Sequence, residues 1–175
     1  EDIVGTSNEI EGTLYFNPLN PQAGGSGNIR VPIASLETGI PLRNEHLQSE
    51  DWLNAGEFPY IEFAITEVKD IKEVQSDAGS GSYDVTVVGD FSVHGKSKTL
   101  EVPARITYLQ ESEQTRQRLP GDLLAARTEF TIVLADFDIK GPSSKRLIGS
   151  KVGKKISIEV TVVASTVNPS LLTGP

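Results

Sequence analysis

Apolar and polar residues alternate one for one through most of the chain, the rhythm of strands that turn one face to a core and the other to water. The clearest stretch lies near the carboxyl end, where Ile156, Ile158, Val160, Val162 and Ala164 alternate with Ser157, Glu159, Thr161 and Val163. Phe130, Ile132 and Leu134 form a second apolar line, and Leu100, Val102, Ala104, Ile106 and Tyr108 a third. Tyr83, Val85, Val87, Gly89, Phe91 and Val93 form a fourth. Earlier come Ile61, Phe63 and Ile65, then Ile29, Val31 and Ile33, and first Ile10, Gly12, Leu14 and Phe16. Seven strands are predicted, and helical spacing is scarce.

The breaks in this rhythm place the turns. His94-Gly95-Lys96-Ser97-Lys98 separates two long strands, and its glycine can take a positive φ, so a hairpin is expected there. Gly89 and Pro103 fall inside strand patterns, where a missing side chain or a missing N–H marks a bulge or bend of the kind a closing barrel needs. Pro18 to Asn28, Ser76 to Ser82 and Gln110 to Asp122 are rich in turn formers and are expected to be loops. Only Arg43 to Leu53 suits a few helical turns, with Leu47, Trp52 and Leu53 free to pack as a lid or side plug.

Composition narrows the picture without changing it. A length of 175 residues suits a single domain, expected over 1–167 with a flexible tail over 168–175. Sixteen Lys and Arg against 24 Asp and Glu leave a net charge of -8, whose field repels phosphate backbones and makes nucleic acid an unsuitable partner. Absence of cysteine removes disulfides, thiolate metal sites and a thiol nucleophile. With only His46 and His94 besides carboxylates, no metal or cofactor site is expected from the spacing. Neither histidine has an evident base or nucleophile partner in sequence, so no catalytic residue is assigned and the protein is not expected to be an enzyme. Gly95-Lys96-Ser97 lacks the first glycine and the following helix of a phosphate-binding loop, and Gly24-Gly25-Ser26-Gly27 lacks the spacing of a nucleophile elbow.

Several motifs in order resemble the YceI-like family of polyisoprenoid-binding, lipocalin-like proteins. Ser35-Leu36-Glu37-Thr38-Gly39, Arg43, His46-Leu47, Ser49, Trp52-Leu53 and Phe58-Pro59 with Phe63 are similar to its stretch from one strand through a short helix into the next. Gly89 to Lys98 resembles its strand, His-Gly turn and strand, and Asp136-Phe137-Asp138-Ile139 through Gly149 and Val152 fits its carboxyl part. The resemblance covers about Val4 to Ala164. It implies an all-β, antiparallel lipocalin-like barrel with one short helix, eight-stranded in the family against the seven strands read here. The family's opening strand has no counterpart before Val4, so an upstream piece, with or without a signal peptide, is expected outside this sequence; otherwise the barrel stays slit or is closed by a partner, for instance as a homodimer.

Function follows from the inward faces. A barrel of this size is either filled by side chains or holds one slender ligand. The resemblance implies the latter: an isoprenoid lipid or quinone tail, bound without catalysis and stored or transported in the periplasm or outside the cell. Candidate lining residues are Phe16, Val31, Phe58, Phe63, Val87, Phe91 and Leu100, then Val102, Phe130, Ile132, Ile158 and Val160, with Trp52 and Leu53 shaping one mouth. Gly12 and Gly89 are expected to leave room in the lumen. Lys140 to Ile158 is basic on an acidic chain, so Lys151 and Lys154, with Arg43 and His46, are candidates for touching a headgroup or a membrane surface. The competing reading is a solid-cored β-domain whose loops bind a protein partner.

Overall fold

The computed structural model describes residues 4–141 and 154–167. Seven strands form one antiparallel sheet: β1 (Glu11–Phe16), β2 (Gly25–Pro32), β3 (Tyr60–Asp77), β4 (Ser80–Val93), β5 (Lys96–Leu109), β6 (Leu123–Val133) and β7 (Lys155–Ser165). Their order across the sheet is their order along the chain, so strands adjacent in the sheet are consecutive in sequence. The sheet curls until side chains from β3 and β6, which have two strands between them, stack at 6.4 Å between Phe63 and Phe130. Among the described residues, β1 pairs only with β2 and β7 only with β6, leaving the curl open between the first and last strands.

Alternation is cleanest on β4, where Tyr83, Val85, Val87, Phe91 and Val93 are buried while the residues between them are half-exposed. The β4–β5 turn forms because His94 (φ 53°) and Gly95 (φ 71°) both take positive φ, the requirement of a two-residue type I′ turn that matches strand twist. β3 is much longer than its apolar line at Ile61, Phe63 and Ile65. It bends through register shifts at Ile65/Glu67, Lys69/Lys72 and Glu73/Gln75, which explains why its period-two signal fades after Ile65. The Pro18–Asn28 segment is not all loop either: Gly25 to Asn28 already belong to β2.

The expected helix is α1 (Pro41–Gln48), opened by Pro41 at a position where the missing N–H costs nothing. Trp52 and Leu53 follow in turns rather than in the helix. Within Gln110 to Asp122 lies one short helix, α2 (Glu113–Arg116), held by reciprocal Ser112 and Thr115 capping bonds.

Candidate functional site

The two ends of the curled sheet differ. At the end carrying α1, the most deeply buried side chains of the described residues are Ile33 and Phe137, both 0% exposed, each from a 3-10 turn (Ile33–Ser35 and Leu134–Phe137). Leu53, Leu134 and Ile139 are buried with them. This end is therefore filled. Trp52, half-buried, lies against Gly141, and Leu53 belongs to the core cluster, so both residues help stopper this end instead of framing a mouth. The His94 Nδ1–H donates to the Phe137 carbonyl at 3.0 Å, because a carbonyl can only accept; this ties the β4–β5 turn to the plug and fixes the imidazole proton on Nδ1.

Above the plug, aromatic rings meet from different walls. Phe91 lies 5.5 Å from Phe137 and 5.8 Å from Phe130, both edge to face, and 6.4 Å from Phe63. Toward the opposite end the inward face carries Val85, Val87, Val102 and Ala104, then Tyr83 and Ile106, all packed in the same core, with Ala126 beside Ile106. At that far end Phe16 of β1 and Tyr83 of β4 approach within 5.8 Å. Two recesses open there around the β1–β2 connection. One, about 420 Å³, is lined by Gln22 to Gly25 and by Thr66 to Ile71 and includes inward-packed Val68 and Ile71; the other, about 400 Å³, includes Phe16. Both are of ligand size, and both are rim features rather than a passage through the interior.

The third feature is the open side. Ile156, Ile158, Val160, Val162 and Ala164 share a face with the inward residues of β6, yet Ile156 is 41% exposed and the others only half-buried, whereas Phe91 on β4 is 4% exposed. Leu14 and Phe16 on β1 are likewise half-buried. The apolar interior thus reaches the surface along a slot bounded by β1 and β7.

Most of the residues singled out as lining do point inward: Val31 beside Ile61, Phe63 and Phe91 paired across β3 and β4, Val87 with Val102, Leu100 opposite Gly89, Phe130 with Ile158, and Ile132 with Ile156. Val160 joins them on β7. Phe58 does not. It packs outside the curl against the β4–β5 turn, 5.7 Å from the His94 ring and in contact with Gly95. Gly12 and Gly89 do not widen the lumen: a Cβ at Gly12 would lie 2.0 Å from the Asn28 carbonyl oxygen, and one at Gly89 2.5 Å from the Ala64 oxygen and 3.0 Å from the Phe63 ring. Their missing side chains are already used by neighbouring strands and rings.

Arg43 and His46 lie on α1 and Lys154 just before β7, all at the plugged end. Lys151, most of the basic run and the tail over 168–175 fall outside the described residues. Sequence reasoning missed the plug. The alternation of Phe137 and Ile139 with Asp136 and Asp138 was its available signal, since both apolar members are buried and both aspartates exposed. No group of three or more His, Asp or Glu side chains among the described residues is placed to hold a metal ion, and no described helix is long and apolar enough to cross a membrane.

A family model described as the YceI-like domain matches residues 1–164. The protein YceI of Escherichia coli O17:K52:H18 is 28% identical over 148 residues, 83% of this chain and 69% of that protein. A UPF0312 protein of Pseudomonas savastanoi pv. phaseolicola is 29% identical over 140 residues, 80% of this chain and 65% of that protein, so the chain spans about two thirds of the length of these relatives. Among solved structures, the Campylobacter jejuni YceI protein superposes with a TM-score of 0.70 at 18% identity, covering 96% of this chain and 87% of that one. BcnA of Burkholderia cenocepacia gives a TM-score of 0.66 at 19% identity, covering 92% and 87%. At these identities the structures establish a shared fold.

Proposed function

The chain belongs to the YceI-like family, and from that footing we propose that it binds an isoprenoid lipid or isoprenoid-quinone tail without catalysing a reaction, as a carrier or store in the periplasm or outside the cell. The observation that carries this reading is the apolar inward face of β7, left half-exposed beside an open side of the sheet. Contiguous apolar surface of this kind favours an apolar occupant, because each buried methylene gains roughly 0.8 kcal/mol before ordering costs. The rim recesses beside Phe16 and Val68 lie at the end away from the plug, where such a chain would first meet apolar side chains. A headgroup then sits at that rim, remote from Arg43, His46 and Lys154.

Native mass spectrometry of protein purified without detergent and exposed to ubiquinone or a polyprenol tests the reading. A retained one-to-one complex is expected, and recovery of ligand-free protein alone overturns it. The second reading, a solid-cored domain that binds a protein partner, draws on the contacts Phe63–Phe130 and Phe16–Tyr83, which bring side chains together across the interior. It predicts that saturating prenol leaves the urea midpoint unmoved, whereas a ligand bound only to the folded state raises it.

A further inference from the structure

We infer that the open side of the sheet, at its end away from the plug, is a docking surface for the headgroup layer of a neutral phospholipid bilayer. The inference concerns the outer surface alone and holds whether or not the interior takes a tail, so it goes beyond the ligand reading above. Its basis is where charge is missing. Gly12 to Ile29 contains no charged residue, a run of 18 in a chain that is 23% charged, and Val160 to Pro175 contains none either; nowhere else do more than six residues pass without one. These runs include most of β1 and the second half of β7, the strands that bound the open side. In a seven-strand antiparallel order the two strands point the same way, from the plugged end to the opposite one. Each starts charged, with Glu11 on β1 and Lys155 and Glu159 on β7, and sheds charge as it leaves the plug.

The side chains presented there suit a bilayer interface. Leu19, in the β1–β2 connection, is 94% exposed, and Tyr15 and Val163 are exposed on the outer faces of β1 and β7. Around them the exposed residues are uncharged and polar: Thr13, Asn17, Asn20, Gln22, Ser26 and Thr161. A tyrosine and a leucine among neutral hydrogen-bonding groups match the layer where headgroups meet acyl chains. The connection is also built to enter that layer. Pro18 and Pro21 have no N–H to desolvate, the Asn17 side-chain oxygen accepts the Leu19 N–H at 3.0 Å, and the N–H groups of Asn20, Ala23 and Gly24 are bonded within the connection. Charge selects the partner. A chain of net charge -8 is repelled by an anionic surface, and neither run holds a Lys or Arg to offset that, so a zwitterionic layer is the one this surface fits. A folded partner, a second copy included, would need a pocket shaped for Leu19, whereas a fluid layer needs none.

Flotation of the 175-residue chain with phosphatidylcholine vesicles tests this. We expect binding that changes less than about twofold between low and high salt and that weakens when part of the lipid is replaced by phosphatidylglycerol. Leu19→Asp should lower the partition coefficient about tenfold or more, the factor lost when a leucine side chain stays in water. Tyr15→Asp should act in the same direction, whereas Leu42→Asp, at an exposed leucine on α1 at the plugged end, should change nothing. Because Leu19 is almost fully exposed, its variant should keep the parent's urea midpoint. Absence of binding to phosphatidylcholine, equal partition of folded Leu19→Asp, or binding that requires phosphatidylglycerol and is lost in high salt overturns the docking. So does a dimer, seen by native mass spectrometry, that Leu19→Asp converts to monomer, since a second copy then occupies the surface. Vesicle docking and prenol retention are read separately, so either can fail while the other stands.

Discussion

Gly95 shows how one residue can hold two parts of the fold. Its φ of 71° is strained for any side chain, and a Cβ there would lie 2.6 Å from the Phe58 ring. Gly95→Ala should cost about 1–2 kcal/mol, seen as a lower urea midpoint with an unchanged slope. Three ion-paired carboxylates make a second prediction. Lys96 beside Asp138, Arg105 beside Asp84, and Arg116 together with the Gly121 N–H beside Glu111 hold these groups below the ordinary carboxylate range. Because the folded forms bind protons more weakly than the unfolded ones, their contribution is complete above the unfolded range and drains as pH falls through the folded values. The urea midpoint should hold from neutrality to about pH 5 and decline below about pH 4, shallowly and less in high salt. Substituting the three carboxylates by their amides should flatten that decline. At this scale the sequence was informative where alternation alone decides direction, as at Phe91 and Val102, and silent where a ring answers to a turn, as at Phe58.

Strands that share a pattern need not share a burden. β4 and β7 alternate equally well in sequence, yet among the described residues β4 lies between two neighbours and β7 has one. Val87→Ala should cost about 2 kcal/mol, whereas Val162→Ala should cost less than half as much, because its side chain is only half-buried to begin with. Comparing the two urea midpoints checks this, and equal losses would mean that β7 is covered in solution. The existence of all seven strands was legible from period two, as was the His94–Gly95 hairpin. Their lengths were not: β3 runs on to Asp77 through charged, exposed positions and three register shifts, where alternation loses its phase. The plug was harder to read for a related reason, since it is assembled from short 3-10 turns and irregular chain in which only the brief alternation at 136–139 carries a period.

At the scale of the whole sheet, β1 and β7 each have one strand partner among the described residues. How far inward side chains reach across the curl could not be read from the chain, because contacts such as Phe63–Phe130 depend on curvature and tilt rather than on spacing. The strictly sequential strand order has a practical outcome. A cut anywhere in 110–122 separates a five-strand piece from a two-strand piece and severs no hydrogen-bonded ladder except that between β5 and β6. The halves should reassociate when mixed, with Tyr108 donating its hydroxyl to Asp122 across the seam and Phe130 and Phe137 repacking on Phe63 and Phe91, and so offer a split reporter whose recovery reads the β5–β6 ladder and the plug together.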